Sequence, residues 1–261
     1  MTLGSPSEER VRSDAFRYFV EDWWERIDGV VSDALGIDAL GEPTSLGHGA
    51  WGHVYPTLFK EWVIKVSIDP TEGPVNQTVL ETPELRVNPG IAWVEGVWRL
   101  AEEFDGLVPY VILRENIRPW TDTQIYANDI LSTKLNLTAM AAERLNEAIY
   151  LDRQGAARPG YLKKMEMQFF EEIGGLEDYK SGRPAADLAA FMDSWYAIVG
   201  GALADITSTN VGNRMNDLPV EPGHEADPVR LVAFDIGHSN VETHVHVPLV
   251  ANPGRIPVIR W

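Results

Sequence analysis

Gly47-His48-Gly49-Ala50-Trp51-Gly52 forms a Gly-x-Gly-x-x-Gly run. Ordinary tight turns use glycines in the same way. Here, however, Val54, Tyr55 and Pro56 continue a strand-like pattern, whereas a dinucleotide fold would start a helix at this point. A glycine hairpin can lie over a triphosphate, because its backbone N–H groups reach phosphate oxygens with no side chains in the way. Thirteen residues after Gly52, Lys65 stands inside the apolar run Val63-Ile64-Lys65-Val66. A buried ammonium needs an anion, so such a lysine either snorkels from an edge or binds charge. With the glycine hairpin just before it, phosphate contact is the favoured reading. Asp235 follows Leu231-Val232-Ala233-Phe234, which puts a carboxylate at a buried strand end with a cation as its natural partner. A plain turn after a strand, completed by Gly237, is the alternative.

Elements that could position these groups are visible in the hydrophobic pattern. Ser5, Pro6 and Glu8 form a capping-box start, and Val11, Ala15, Phe19, Trp23 and Ile27 recur every fourth residue, which predicts a helix over about 6–27. Residues 30–35 extend it by a turn or two before Gly36. From Thr44 the pattern becomes a β-meander, with Lys60 and Glu61 at a hairpin tip. A short helix is expected over 71–82, closed by Pro83, then strands over 91–100 and 108–116. Beyond Pro119 the pattern is mostly helical, over 136–153, 161–174 and 185–201, the last carrying Leu188, Phe191, Trp195 and Ile198 at helical spacing. Residues 231–237 read as a strand, and 216–228 as an exposed acidic loop. No internal repeat is present.

In this order and context the motifs resemble the protein-kinase-like family. The glycine run with its trailing Val54 is followed by Val63-Ile64-Lys65, similar to the family's Val-Ala-Ile-Lys, and Asn88-Pro89-Gly90-Ile91 resembles its His-Pro-x-Ile turn. Glu115-Asn116-Ile117 lies where the family's hinge receives adenine. Asp205 and Asn210 reproduce the catalytic-loop spacing Asp-x4-Asn, and Asp235-Ile236-Gly237 resembles Asp-Phe-Gly. The resemblance implies an α+β, bilobal protein-kinase-like fold with three parts. These are an N-terminal helical segment (1–40), a five-stranded antiparallel small lobe (41–118) and a mainly helical, truncated large lobe (119–261). It implies Mg-ATP as the phosphoryl donor, with Gly47, Gly49, Gly52, Val54, Glu115 and Ile117 around the nucleotide. Lys65 would hold the α- and β-phosphates, paired with a helix glutamate; Glu81 is the first choice and Glu72 the competitor. Asp205 would accept or orient the substrate hydroxyl proton, and Asn210 and Asp235 would ligate Mg²⁺.

Departures from the family pattern bear on the substrate. Leu203 and Ala204 replace the usual His and Arg before the catalytic Asp, and Thr207 stands where many Ser/Thr kinases keep a Lys. No Ala-Pro-Glu element follows Gly237, so the resemblance is expected to stop short of much of the family's peptide-docking platform. The leading expectation is transfer to a protein Ser or Thr hydroxyl. A small-molecule phosphotransferase and a nucleotide-sensing or scaffolding pseudokinase are the rivals.

The composition bounds all of these readings. The chain has 261 residues, 44% of them hydrophobic, with nine Trp, enough for a substantial core. Its 22 basic and 39 acidic residues give a net charge of −17, which disfavours broad nucleic-acid or anionic-membrane binding and is compatible with a basic protein partner. There is no Cys, so disulfides and thiolate chemistry are excluded. With no apolar signal core at the N-terminus and no run of about 18 apolar residues, a cytoplasmic location is expected. His238, His244 and His246 form a minor metal-site candidate against the plainer reading of solvated strand histidines. Trp51 either caps phosphates or covers the hairpin, and Arg114 is either a polar residue at the site or solvent-facing.

Overall fold

The computed structural model describes residues 6–49, 51–177, 185–214, 231–236 and 253–261. It is a mixed α+β structure that divides into two units. Unit 1 comprises 1–82, 93–116 and 249–261, and unit 2 comprises 83–92 and 117–248.

Unit 1 is a sheet with helices on it. α1 (Pro6–Asp22) and α2 (Trp24–Leu35) replace the single expected helix. The break falls at Trp23, whose N–H reaches back only three residues to Val20 O (3.1 Å). Trp23 and Trp24 are adjacent and both buried, and this tighter turn lets both rings enter the core. α2 stops at Gly36, left-handed at φ +71°, whose N–H caps Ser32 O.

The sheet order is β1-β2-β3-β5-β4-β9, from β1 (Gly47–Gly49), β2 (Gly52–Pro56), β3 (Trp62–Ser67), β4 (Val94–Leu100), β5 (Tyr110–Glu115) and β9 (Val258–Ile259). The first five strands are antiparallel. β9, which strand patterning does not reveal, pairs parallel with β4 at Arg99↔Val258 and Leu100↔Ile259. Strand alternation splits the sheet into two faces. Tyr55, Ile64, Val66, Val111 and Leu113 face α1 and α2, where Phe16, Val20, Trp23, Trp24, Ile27 and Val31 complete the core. The opposite face carries the row Gly47–Val54–Lys65–Ile112–Val97, set by the β1–β2, β2–β3, β3–β5 and β4–β5 registers. α3 (Glu72–Glu81) packs on β4 and β5.

Unit 2 is mainly helical. α4 (Pro83–Arg86) and α5 (Asp122–Ala127) are short, and α6 (Asp129–Arg153), α7 (Tyr161–Glu177) and α8 (Ala186–Val199) are long. α6 packs on α7 and α7 on α8. Their core includes Leu135, Ala142, Leu145, Phe169, Leu188, Phe191 and Trp195. A small antiparallel sheet, β6 (Ile117–Pro119), β7 (Val211–Arg214) and β8 (Val232–Ala233), is ordered β6-β7-β8. Among the described residues, no helix is long and apolar enough to cross a membrane.

Candidate functional site

In unit 1 the β registers place Gly47, Gly49, Gly52, Val54 and Lys65 on one face, because directly opposed residues point the same way and the period is two. The hairpin turns over only two residues, between Gly49 and Gly52. Gly52 has a packing reason of its own: a Cβ there would lie 2.4 Å from Val66 O, so only glycine lets β2 approach β3 this closely. At Gly47 a Cβ would meet nothing within 4 Å, which leaves the surface beside it open. Trp51 packs against the apolar cluster, with the Arg12 guanidinium 5.7 Å from its ring centre, so it covers the hairpin.

Lys65 is 7% exposed and Glu72 1%, and Lys65 Nζ lies 2.7 Å from Glu72 Oε1. The partner is therefore Glu72 and not Glu81, which accepts a hydrogen bond from Gln77 Nε2 at 2.8 Å. The reason is helix geometry. Asp69 Oδ1 accepts from Thr71 N (2.8 Å) and Thr71 Oγ1 (2.7 Å), a turn that starts α3 at Glu72 directly after β3. Glu81, nine residues further on, is about 14 Å along the axis and about two and a half turns round, on the opposite face. The helix N-terminus also favours the ionised Glu72 carboxylate. Arg114 is buried on the Lys65 face, two residues along β5 from Ile112, and does not face solvent.

At the expected hinge, the Glu115 N–H is donated to Trp93 O (2.8 Å) and the Asn116 N–H to Glu61 O (2.7 Å). Neither amide is open to a ligand. Ile117 belongs to β6, opposite Arg214.

In unit 2, Asp205 and Asn210 lie on the loop between α8 and β7, and Asp235 lies two residues past β8. Asn210 Nδ2 donates to Asp205 O at 2.8 Å, and Thr207 N donates to the same carbonyl at 2.9 Å. Phe234 N donates to Asn210 O at 3.1 Å, so the Asp235 segment is tied to the loop at Asn210. All three named residues are half-buried. Its NH₂ being committed to Asp205 O, Asn210 has its amide oxygen as the side-chain acceptor, and amide and carboxylate oxygens such as those of Asn210 and Asp235 are the donor type Mg²⁺ takes. Among the described residues, no group of three or more His, Asp or Glu is arranged to hold a metal. Gly237 and His238, His244 and His246 lie outside the described residues. Leu203 and Ala204 are buried, and Thr207 Oγ1 is 2.9 Å from Thr209 Oγ1.

Sequence reasoning missed the supports of this loop. Arg214 spans the carbonyls of Pro89 (2.7 Å) and Ile91 (2.9 Å). Between them, Gly90 O accepts the Ala233 N–H at 2.9 Å, which braces β8 just before Asp235. Asn146 and Asn136 of α6 bond the loop itself. One signal was available for Asn146: an amide at a position where Ala142, Leu145 and Ile149 mark the buried face of α6.

No family model matches the chain, and no curated protein sequence does. Among solved structures, the chain is similar to APH(2")-IIia in its complex with GDP and kanamycin, at 14% identity and a TM-score of 0.30. The likeness covers 75% of this chain, which spans 66% of that one.

Proposed function

We propose that this protein transfers the terminal phosphoryl group of Mg-ATP to a hydroxyl group, on a protein-kinase-like framework. The observation that carries the reading is the Lys65–Glu72 pair, buried on the sheet face that also bears Gly47, Gly49, Gly52 and Val54. Burying two charges is expensive, and replacing such a pair by apolar residues is often neutral or stabilising, so stability alone is a poor reason for it. A phosphate-binding role supplies one.

On this reading Glu72 fixes the Lys65 ammonium, and Lys65 holds the α- and β-phosphates. The glycine hairpin lets backbone N–H groups approach the remaining phosphate oxygens. Asp205, with its carbonyl held by Asn210 and Thr207, orients the acceptor hydroxyl and takes its proton. The Asn210 and Asp235 oxygens hold Mg²⁺, which when bound supplies neutralisation of the phosphate charge. Thr207 brings no positive charge to the transferred group.

A protein Ser or Thr is one acceptor class, and a small-molecule hydroxyl is the other.

The test is transfer of γ-labelled phosphate from Mg-ATP in a bacterial lysate, comparing wild type with Asp235→Asn and separating protein-bound from small-molecule label. Label with wild type alone is expected, and its fraction identifies the acceptor class. No label from a folded wild-type protein overturns the reading in favour of a nucleotide-sensing or scaffolding role.

A further inference from the structure

The loop carrying Asp205 runs along α6, and two asparagines of that helix grip it. Asn146, 2% exposed, matches both polar groups of one residue: its Nδ2 donates to Ala202 O at 2.7 Å, and its Oδ1 accepts from Ala202 N at 2.8 Å. The side chain thus takes the place of a neighbouring strand at the loop's entry. Asn136, ten residues earlier and about 15 Å away along the helix, accepts through Oδ1 alone, from Ser208 N at 3.3 Å and Ser208 Oγ at 3.4 Å. Ala202 and Ser208 flank Asp205 on either side. The positions usually filled by His and Arg are Leu203 and Ala204, both buried and unable to make side-chain hydrogen bonds.

We propose that Asn146 and Asn136 are positioning residues that set Asp205 against the acceptor hydroxyl, Asn146 carrying the larger share. This rests on the phosphotransferase reading above. Neither residue is asked to touch nucleotide or metal, so the expected signature is a loss of turnover with nucleotide affinity unchanged. A displacement of about 1 Å at a reacting group is enough to lower a rate about 10²-fold.

The chemistry of the two grips separates them from general structural roles. Asn146→Asp keeps the size and the acceptor but loses the donor and turns a carboxylate oxygen toward Ala202 O. It is expected to lower kcat by about 10- to 100-fold, with the Kd for Mg-ATP, measured by calorimetry, within a factor of two. Asn136→Ala is expected to lower kcat about 3- to 10-fold, and Asn136→Asp to restore it, because only an acceptor is needed there. Amide hydrogen exchange at Ser208 should quicken in Asn136→Ala, which loses the acceptor, and return toward wild type in Asn136→Asp. Should Asn146→Asp fail to fold, the Asn136 pair decides: a fall in kcat with rescue by Asp supports the proposal. Wild-type turnover with kcat unchanged in the folded variants, or a fall matched by an equal loss of Mg-ATP affinity, overturns it. A wild-type protein that transfers no phosphate overturns the functional reading itself, and with it this inference.

Discussion

Lys65 and Glu72 meet as side chains, buried at 2.7 Å, whereas the segments carrying Asp205, Asn210 and Asp235 are joined through main-chain carbonyls: that of Asp205 accepts from Asn210 Nδ2 and Thr207 N, and that of Asn210 from Phe234 N. Unit 1 builds its candidate site from strand register, and a single helical turn then delivers the counter-charge. Unit 2 builds its own from a loop with little regular structure, pinned at 202, 205, 208 and 210. The difference teaches where each is vulnerable. A buried ion pair couples function to fold, because removing either partner leaves a charge in a low-dielectric interior. A pinned loop couples function to geometry, because its groups can shift while the helices beneath stay intact.

The largest effects should test that contrast at both ends. Lys65→Ala and Asp235→Asn are each expected to lower phosphoryl transfer by about 10²- to 10³-fold or more. Denaturant unfolding should show Lys65→Ala losing about 3–5 kcal/mol, and unchanged stability would break the link drawn between the ion pair and the fold. Within unit 1, Glu72→Ala should cost about 3–5 kcal/mol, while Glu81→Ala should stay within about 0.5 kcal/mol of wild type. The same melts with Gly52→Ala should show a loss of about 1–3 kcal/mol from overpacking against Val66 O, with Gly47→Ala close to neutral.

The smallest effect concerns pH. His53 lies on the helix-covered face, with its Nε2 3.1 Å from Ser13 Oγ and from Ser13 O. Burial holds its imidazole below the ordinary value of 6.5, with His48 and Arg17 adding to the depression and the Ser13 backbone bond and Asp14 opposing it. The unfolded chain therefore takes up a proton first as the pH falls. The contribution to stability is complete above 6.5 and is lost as the pH drops through the range below it. The Tm should fall between pH 7 and pH 5, and His53→Gln should flatten that part of the curve.

Where the physics is local and periodic, the sequence was legible. Strand-like patterning marks the β-meander that carries Gly47, Val54 and Lys65, whose common face is set by the registers, and helical spacing marks α6, α7 and α8. Glu72 and not Glu81 pairs with Lys65 because the Asp69-Pro70-Thr71 turn starts the helix so soon after Lys65 that its first turn holds the partner. β6, β7 and β9 are three, four and two residues long, too short for alternation to register. β9 exists only through pairing with a strand far away in the sequence, which no local pattern encodes. The amide grips on the loop carrying Asp205 are long-range for the same reason: Asn146 and Ala202 are 56 residues apart.

Calorimetric titration of ATP, with and without Mg²⁺, against wild type, Lys65→Met and Asp235→Asn tests the proposed nucleotide-dependent phosphoryl transfer most directly. Wild type is expected to bind ATP more tightly with Mg²⁺. Lys65→Met should weaken binding in both conditions, and Asp235→Asn should remove the Mg²⁺ dependence alone. ATP binding indifferent to both substitutions, or no binding by the folded wild-type protein, would contradict it.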